Sequence, residues 1–114
     1  MTAILLVFKI ICCMGTIITG FVSLIAPHSV KDFTGLEATG PRGVTEIRAV
    51  LGALFIGAGI APLILGAAAY QMLGIIYLAI ALVRAISMFV DKSVVRSNLI
   101  SLAVEIVFGV ILVL

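Results

Sequence analysis

The chain has 114 residues, 64% of them hydrophobic and 11% charged, with a formal net charge of +2 and a mean hydropathy of +1.44. That composition lies far outside the range of soluble domains and identifies an integral membrane protein. The few basic residues are scattered, which excludes a nucleic-acid footprint and a polybasic lipid-binding segment, and spans of roughly 20 residues each leave no room for a soluble catalytic domain.

The first apolar run extends from Ala3 to Ala26 and gives a span over 3–26. It lacks a positive amino-terminal region and a small-residue cleavage pattern, so it reads as a retained span rather than a secretory signal. Lys9 is its only charge and lies close enough to its end to snorkel toward the headgroups. Lys9, Cys12, Thr16, Thr19 and Ser23 fall at spacings of three and four, which places the polar side chains on one stripe facing protein. The adjacent Cys12 and Cys13 have no redox spacing and read as small packing residues. Pro27 ends the run. Residues 27–45 form an aqueous or interfacial loop, marked by Lys31, Asp32, Glu37 and Arg42 among Gly35, Gly40, Pro41 and Gly43. Within it, Val30, Phe33 and Leu36 recur every third residue and predict a short helix on the membrane surface.

Ala49 to Val83 is one uncharged run, too long for a single crossing and long enough for two. The break is predicted near Leu65-Gly66-Ala67, where Gly66 can adopt the left-handed conformation that closes a helix. The second span then covers 46–65 and the third 68–90. Ala49, Ala53, Gly57 and Ala61 recur every four residues on the second span, a small-residue stripe that predicts close helix packing; Gly52 and Gly59 lie on an adjacent face. Asp91-Lys92-Ser93 forms the next turn, with Ser93 as N-cap of a fourth span over 94–114. That span carries Asn98, Ser101, Glu105 and Gly109 in one line.

These elements predict an all-α, single-domain, four-helix transmembrane bundle over residues 1–114, with both termini on one side. Lys9 alone marks the terminal face, whereas Lys31, Arg42, Arg48, Lys92 and Arg96 mark the other. The positive-inside rule therefore puts the 28–45 loop and the 91–93 turn in the cytoplasm.

Arg84 and Glu105 lie inside apolar runs, where a charge is costly unless it is paired or functional. At about 1.5 Å of rise per residue, Lys9 lies roughly 9 Å from the terminal face, Glu105 about 14 Å and Arg84 about 24 Å, while Glu46 enters near the opposite face. Arg84 can thus reach Glu46 and Glu105, and Lys9 offers Glu105 a second partner. Arg84, Glu105, Glu46 and Arg48 read either as an ion-pair network that fixes helix register or as the lining of a polar pocket opening to the cytoplasmic face. In the second reading Tyr77, Ala81 and Arg84 share a helix face, with Asn98 and Ser101 nearby, and the pocket suits a lipophilic molecule with a carbonyl, carboxylate or phosphate head.

The order Glu46-Ile47-Arg48-Ala49, then Arg84-Ala85-Ile86-Ser87 followed by Asp91-Lys92-Ser93, then Glu105 in a last helix, resembles a domain-of-unknown-function family of small bacterial four-helix membrane proteins related to the DoxX-like group. The resemblance runs from the proline after the first helix to the carboxyl terminus. The family pattern has glycine before the third-helix arginine, where this chain has Val83. The resemblance implies a bacterial inner-membrane location and a four-helix fold with no established activity. The association of some DoxX-like relatives with quinol or thiol redox systems points toward a quinone-like ligand.

No catalytic or metal-binding set is expected. His28 is the only histidine, so neither a bis-histidine haem nor a Glu-x-x-His di-iron site can be assembled. Cys12 and Cys13 lack further ligands for zinc, Ser87 and Ser101 lack a histidine base, and Gly57-Ala58-Gly59 sits within a span rather than in a phosphate loop. Three readings follow: a protein binding a membrane lipid or quinone-like molecule beside Arg84, without a cofactor; a subunit of a homo-oligomer or larger membrane complex, packing through the Ala49-Ala53-Gly57-Ala61 stripe; or a small transporter using Glu105.

Overall fold

A computed structural model describes residues 2–114. Helix α1 (Ala3–Ile25) starts at Thr2, whose hydroxyl accepts a hydrogen bond from the Leu5 N–H at 3.2 Å. It stops at Ile25, two residues before Pro27, because proline lacks an N–H donor and forces the preceding Ala26 out of the helical region. A single 3-10 turn (Pro27–Ser29) leads into α2 (Val30–Thr34), which Gly35 closes at φ 74°. Val30 is fully buried and pins this segment to the bundle, while Phe33 and Leu36 stay exposed.

The second span begins at Pro41, earlier than the predicted 46. Proline at a first helical position loses no hydrogen bond, and its fixed φ suits the helix. The span comprises α3 (Pro41–Glu46), a π-helical stretch (Ile47–Leu54) and α4 (Phe55–Leu65). Gly66 then turns the chain at φ 87° and ψ −148°, a conformation essentially reserved for glycine. Helix α5 (Ala67–Val90) follows.

The next turn differs from the expectation for Ser93. Lys92 takes φ 53°, and the Ser93 N–H bonds the Met88 carbonyl at 2.9 Å, which is the six-to-one bond of a Schellman ending. Ser93 therefore terminates α5 instead of capping α6 (Arg96–Val113), whose N-cap is Val95. The four helical spans Ala3–Ile25, Pro41–Leu65, Ala67–Val90 and Arg96–Val113 are all long and apolar enough to cross a membrane, and they form an all-α four-helix membrane bundle.

Close approaches at glycine fix which helices pair. A Cβ added at Gly20 would meet the Gly52 carbonyl oxygen at 2.6 Å, and one at Gly59 would meet the Cys13 carbonyl oxygen at 2.8 Å, so α1 and the second span run antiparallel with backbones in contact. On the other side, a Cβ at Gly74 would meet the Gly109 oxygen at 2.9 Å, which seals α5 against α6. Small residues permit such contacts where lipid supplies no hydrophobic drive. The two pairs meet through Tyr77, which shares a short hydrogen bond with the Thr16 hydroxyl and packs edge-on against Phe108, with ring centroids 5.5 Å apart.

The predicted stripe does not make these contacts. Ala49, Ala53 and Gly57 are exposed and Ala61 is half-buried; a Cβ at Gly57 would have open space around it. The packing face is the adjacent one, with Ile47, Gly52, Gly59 and Pro62 buried. Gly52 and Gly59 are seven residues apart, about two helical turns, and so share the face that meets α1.

Candidate functional site

A half-buried polar constellation lies between α5 and α6. From α5, the Arg84 guanidinium donates through Nε to Glu105 Oε1 and through Nη2 to Glu105 Oε2, both at 2.8 Å. Its Nη1 donates to Asn98 Oδ1 at 2.9 Å, and Asn98 Nδ2 donates to the Ser93 carbonyl at 2.9 Å. Asn98 and Glu105 are seven residues apart, two turns of α6, so both face α5. The unbranched arginine side chain spans the interval between them.

The pairing is bidentate, the strongest arrangement open to a guanidinium and a carboxylate. The Glu105 side chain is 11% exposed and that of Arg84 30%, so the acid is enclosed while the base keeps one open edge. A guanidinium has five N–H donors. Three are used here, which leaves two for another acceptor.

That open edge borders a groove of about 560 Å³. Ala79, Ile80, Val83 and Met88 form its apolar wall, and Arg84, Ser87, Ser93 and Asn98 supply its polar groups. Val83 is largely exposed, so the groove opens sideways toward the region that lipid fills. Its volume falls within the range of small-molecule sites, roughly 300–1,000 Å³. A smaller crevice of about 270 Å³ between α4 and α5 is lined by apolar residues such as Ala58, Pro62, Ala69 and Leu73, and has no polar side chain to orient a head group.

The structure separates other residues that the sequence had grouped with Arg84. Glu46 is exposed and pairs with Arg42 one turn away on α3, which extends the second span beyond its predicted start. Arg48 is also exposed and joins no ion pair among the described residues. Tyr77 lies in the interior beside Thr16 and Phe108, away from the groove lining, and Ala81 is buried on the same side. Ser101 sits half-buried between Asn98 and Glu105 without joining their hydrogen bonds. Ser87 and Ser93 were not foreseen as lining residues. The spacing of three between Arg84 and Ser87 was the available signal.

Lys9 follows the inward stripe predicted for α1 and overturns the expectation that it snorkels. It is 1% exposed instead of snorkelling outward, and its ammonium lies 5.8 Å from the centre of the Tyr70 ring, within cation–π range. It does not pair with Glu105, whose two oxygens are both held by Arg84. The remainder of the predicted stripe on α1 does turn inward, with Cys12, Thr16 and Ser23 buried and the two cysteines unpaired. Among the described residues no three His, Cys, Asp or Glu side chains come together to hold a metal ion.

Residues 4–114 match the model of a family described as a domain of unknown function (DUF4345), and the chain belongs to that family. Neither the curated proteins nor the solved structures contain a match to it.

Proposed function

We propose that this DUF4345 protein binds a lipophilic molecule, a lipid or a quinone-like compound, in the lateral groove beside Arg84. The carrying observation is a guanidinium held rigidly by Glu105 and Asn98 with two donors left over, at the edge of an apolar groove open to the side. Arg84 anchors the polar head, Ser87 and Ser93 offer hydroxyls beside it, and the wall of Ile80, Val83 and Met88 takes the tail. In this reading Glu105 is a positioning residue that neutralises and orients Arg84. The host is a bacterial inner membrane, with the 28–45 loop and the 91–93 turn in the cytoplasm by the excess of Lys and Arg on that face.

Arg84→Leu, expressed and purified in mild detergent, should lose a copurifying lipophile detected by extraction and mass spectrometry. It should also lose about 3 kcal/mol of stability, because Glu105 is left charged and enclosed. A thermal melt of each variant shows whether it is folded, and Glu105→Gln, which keeps an oxygen for Arg84 to bond, is measured beside Arg84→Leu. Unchanged copurifying material in a folded Arg84→Leu protein argues instead for a purely structural pair within a scaffold subunit.

A further inference from the structure

We infer that the groove selects a neutral, carbonyl-bearing amphiphile over an anionic one; this rests on the ligand-binding reading above and names the chemistry of its head. The charge of Arg84 is already matched, since both Glu105 oxygens accept from it. A carboxylate or phosphate arriving at the same guanidinium would bring a second negative charge beside Glu105 in a region poor in water, and among the described residues no other cation lines the groove to balance it. A neutral carbonyl oxygen brings no net charge and can accept from the two donors that Glu105 and Asn98 leave unused. A cationic head is disfavoured for a related reason: none of the described lining residues is an acid, and Glu105 faces Arg84 rather than the groove.

The lining supports the same class. Ser87 and Ser93 can each donate to a second oxygen on the head, and Ala79, Ile80, Val83 and Met88 offer the tail only apolar surface. The chemistry is shared by the ester of a glycerolipid and by a free lipophilic ketone.

The test is native mass spectrometry of the full-length protein in detergent, titrated with long-chain amphiphiles of matched tail length. The probes are a methyl ketone, the corresponding fatty carboxylate and an uncharged diacylglycerol. Wild type should retain the ketone or the diacylglycerol at least about tenfold better than the carboxylate, a margin of about 1.4 kcal/mol; whichever neutral probe is held longer identifies the source. Glu105→Gln removes the matching charge and should shift the preference toward the carboxylate by a similar factor. Val83→Trp, which leaves the ion pair in place and fills the groove, should lose every probe. Equal or tighter retention of the carboxylate by wild type overturns the selectivity while leaving a groove ligand standing. Failure to retain any probe, or adducts that persist in Val83→Trp, removes the groove reading itself.

Discussion

Lys9 is buried and Arg84 half-buried in the same bundle, under opposite conditions. Arg84 has a bidentate acid and an amide oxygen, whereas Lys9 has the face of Tyr70 and joins no ion pair among the described residues. Removing an ammonium from water costs several kcal/mol, and an aromatic face returns about 2. Lys9→Met keeps the length of the side chain and discards the charge, so it should raise stability by about 1 kcal/mol or more, read as a higher Tm in detergent. A lower Tm would mean that Lys9 draws on a counter-charge brought by something bound. Helix rise and face periodicity were enough to foresee that Arg84 could meet Glu105 and that Asn98 shared its face. They could not separate Glu46 from this group, because its depth depends on where the second span begins, and Pro41 starts that span five residues before the predicted boundary. The inward stripe on α1 did anticipate that Lys9 turns into the bundle; periodicity could not tell that it would meet the Tyr70 ring rather than Glu105 or the headgroups.

At the scale of elements, the second span is where sequence periodicity and structure part. Its existence, its antiparallel course and its end at Gly66 were legible from apolar length and a glycine break. Its contact face was not, because the span offers two small-residue faces, Ala49-Ala53-Gly57-Ala61 and Gly52-Gly59, and spacing alone does not say which one meets α1. The consequence is a pair of glycines with opposite sensitivity. Gly20→Ala drives a methyl into the Gly52 carbonyl and the Ile56 backbone nitrogen, 2.6 and 2.8 Å away, and should cost about 1–3 kcal/mol as α1 is pushed off the second span. Gly57→Ala meets nothing within 4 Å and should be neutral or stabilise by up to about 1 kcal/mol through helix propensity. Thermal unfolding of the two variants in the same detergent compares them directly. Equal losses would place the contact face back on the Ala49-Ala53-Gly57-Ala61 stripe.

The whole molecule is a flattened bundle, 45 × 31 × 17 Å, built as two glycine-sealed helix pairs joined through Thr16, Tyr77 and Phe108. Its outer surface is apolar around the helices, with Phe8, Ile18, Ile64, Leu82 and Phe89 among the exposed side chains. The charges that join α5 to α6 sit inside that apolar belt, so the Arg84 groove brings hydrogen-bond donors to the edge of the lipid-facing surface. Native mass spectrometry of the purified wild-type protein beside Val83→Trp tests this most directly. A single lipophilic adduct, one per chain in wild type and absent from an equally stable Val83→Trp, is the predicted result. Adduct-free wild type, or the same adduct on both proteins, would contradict it.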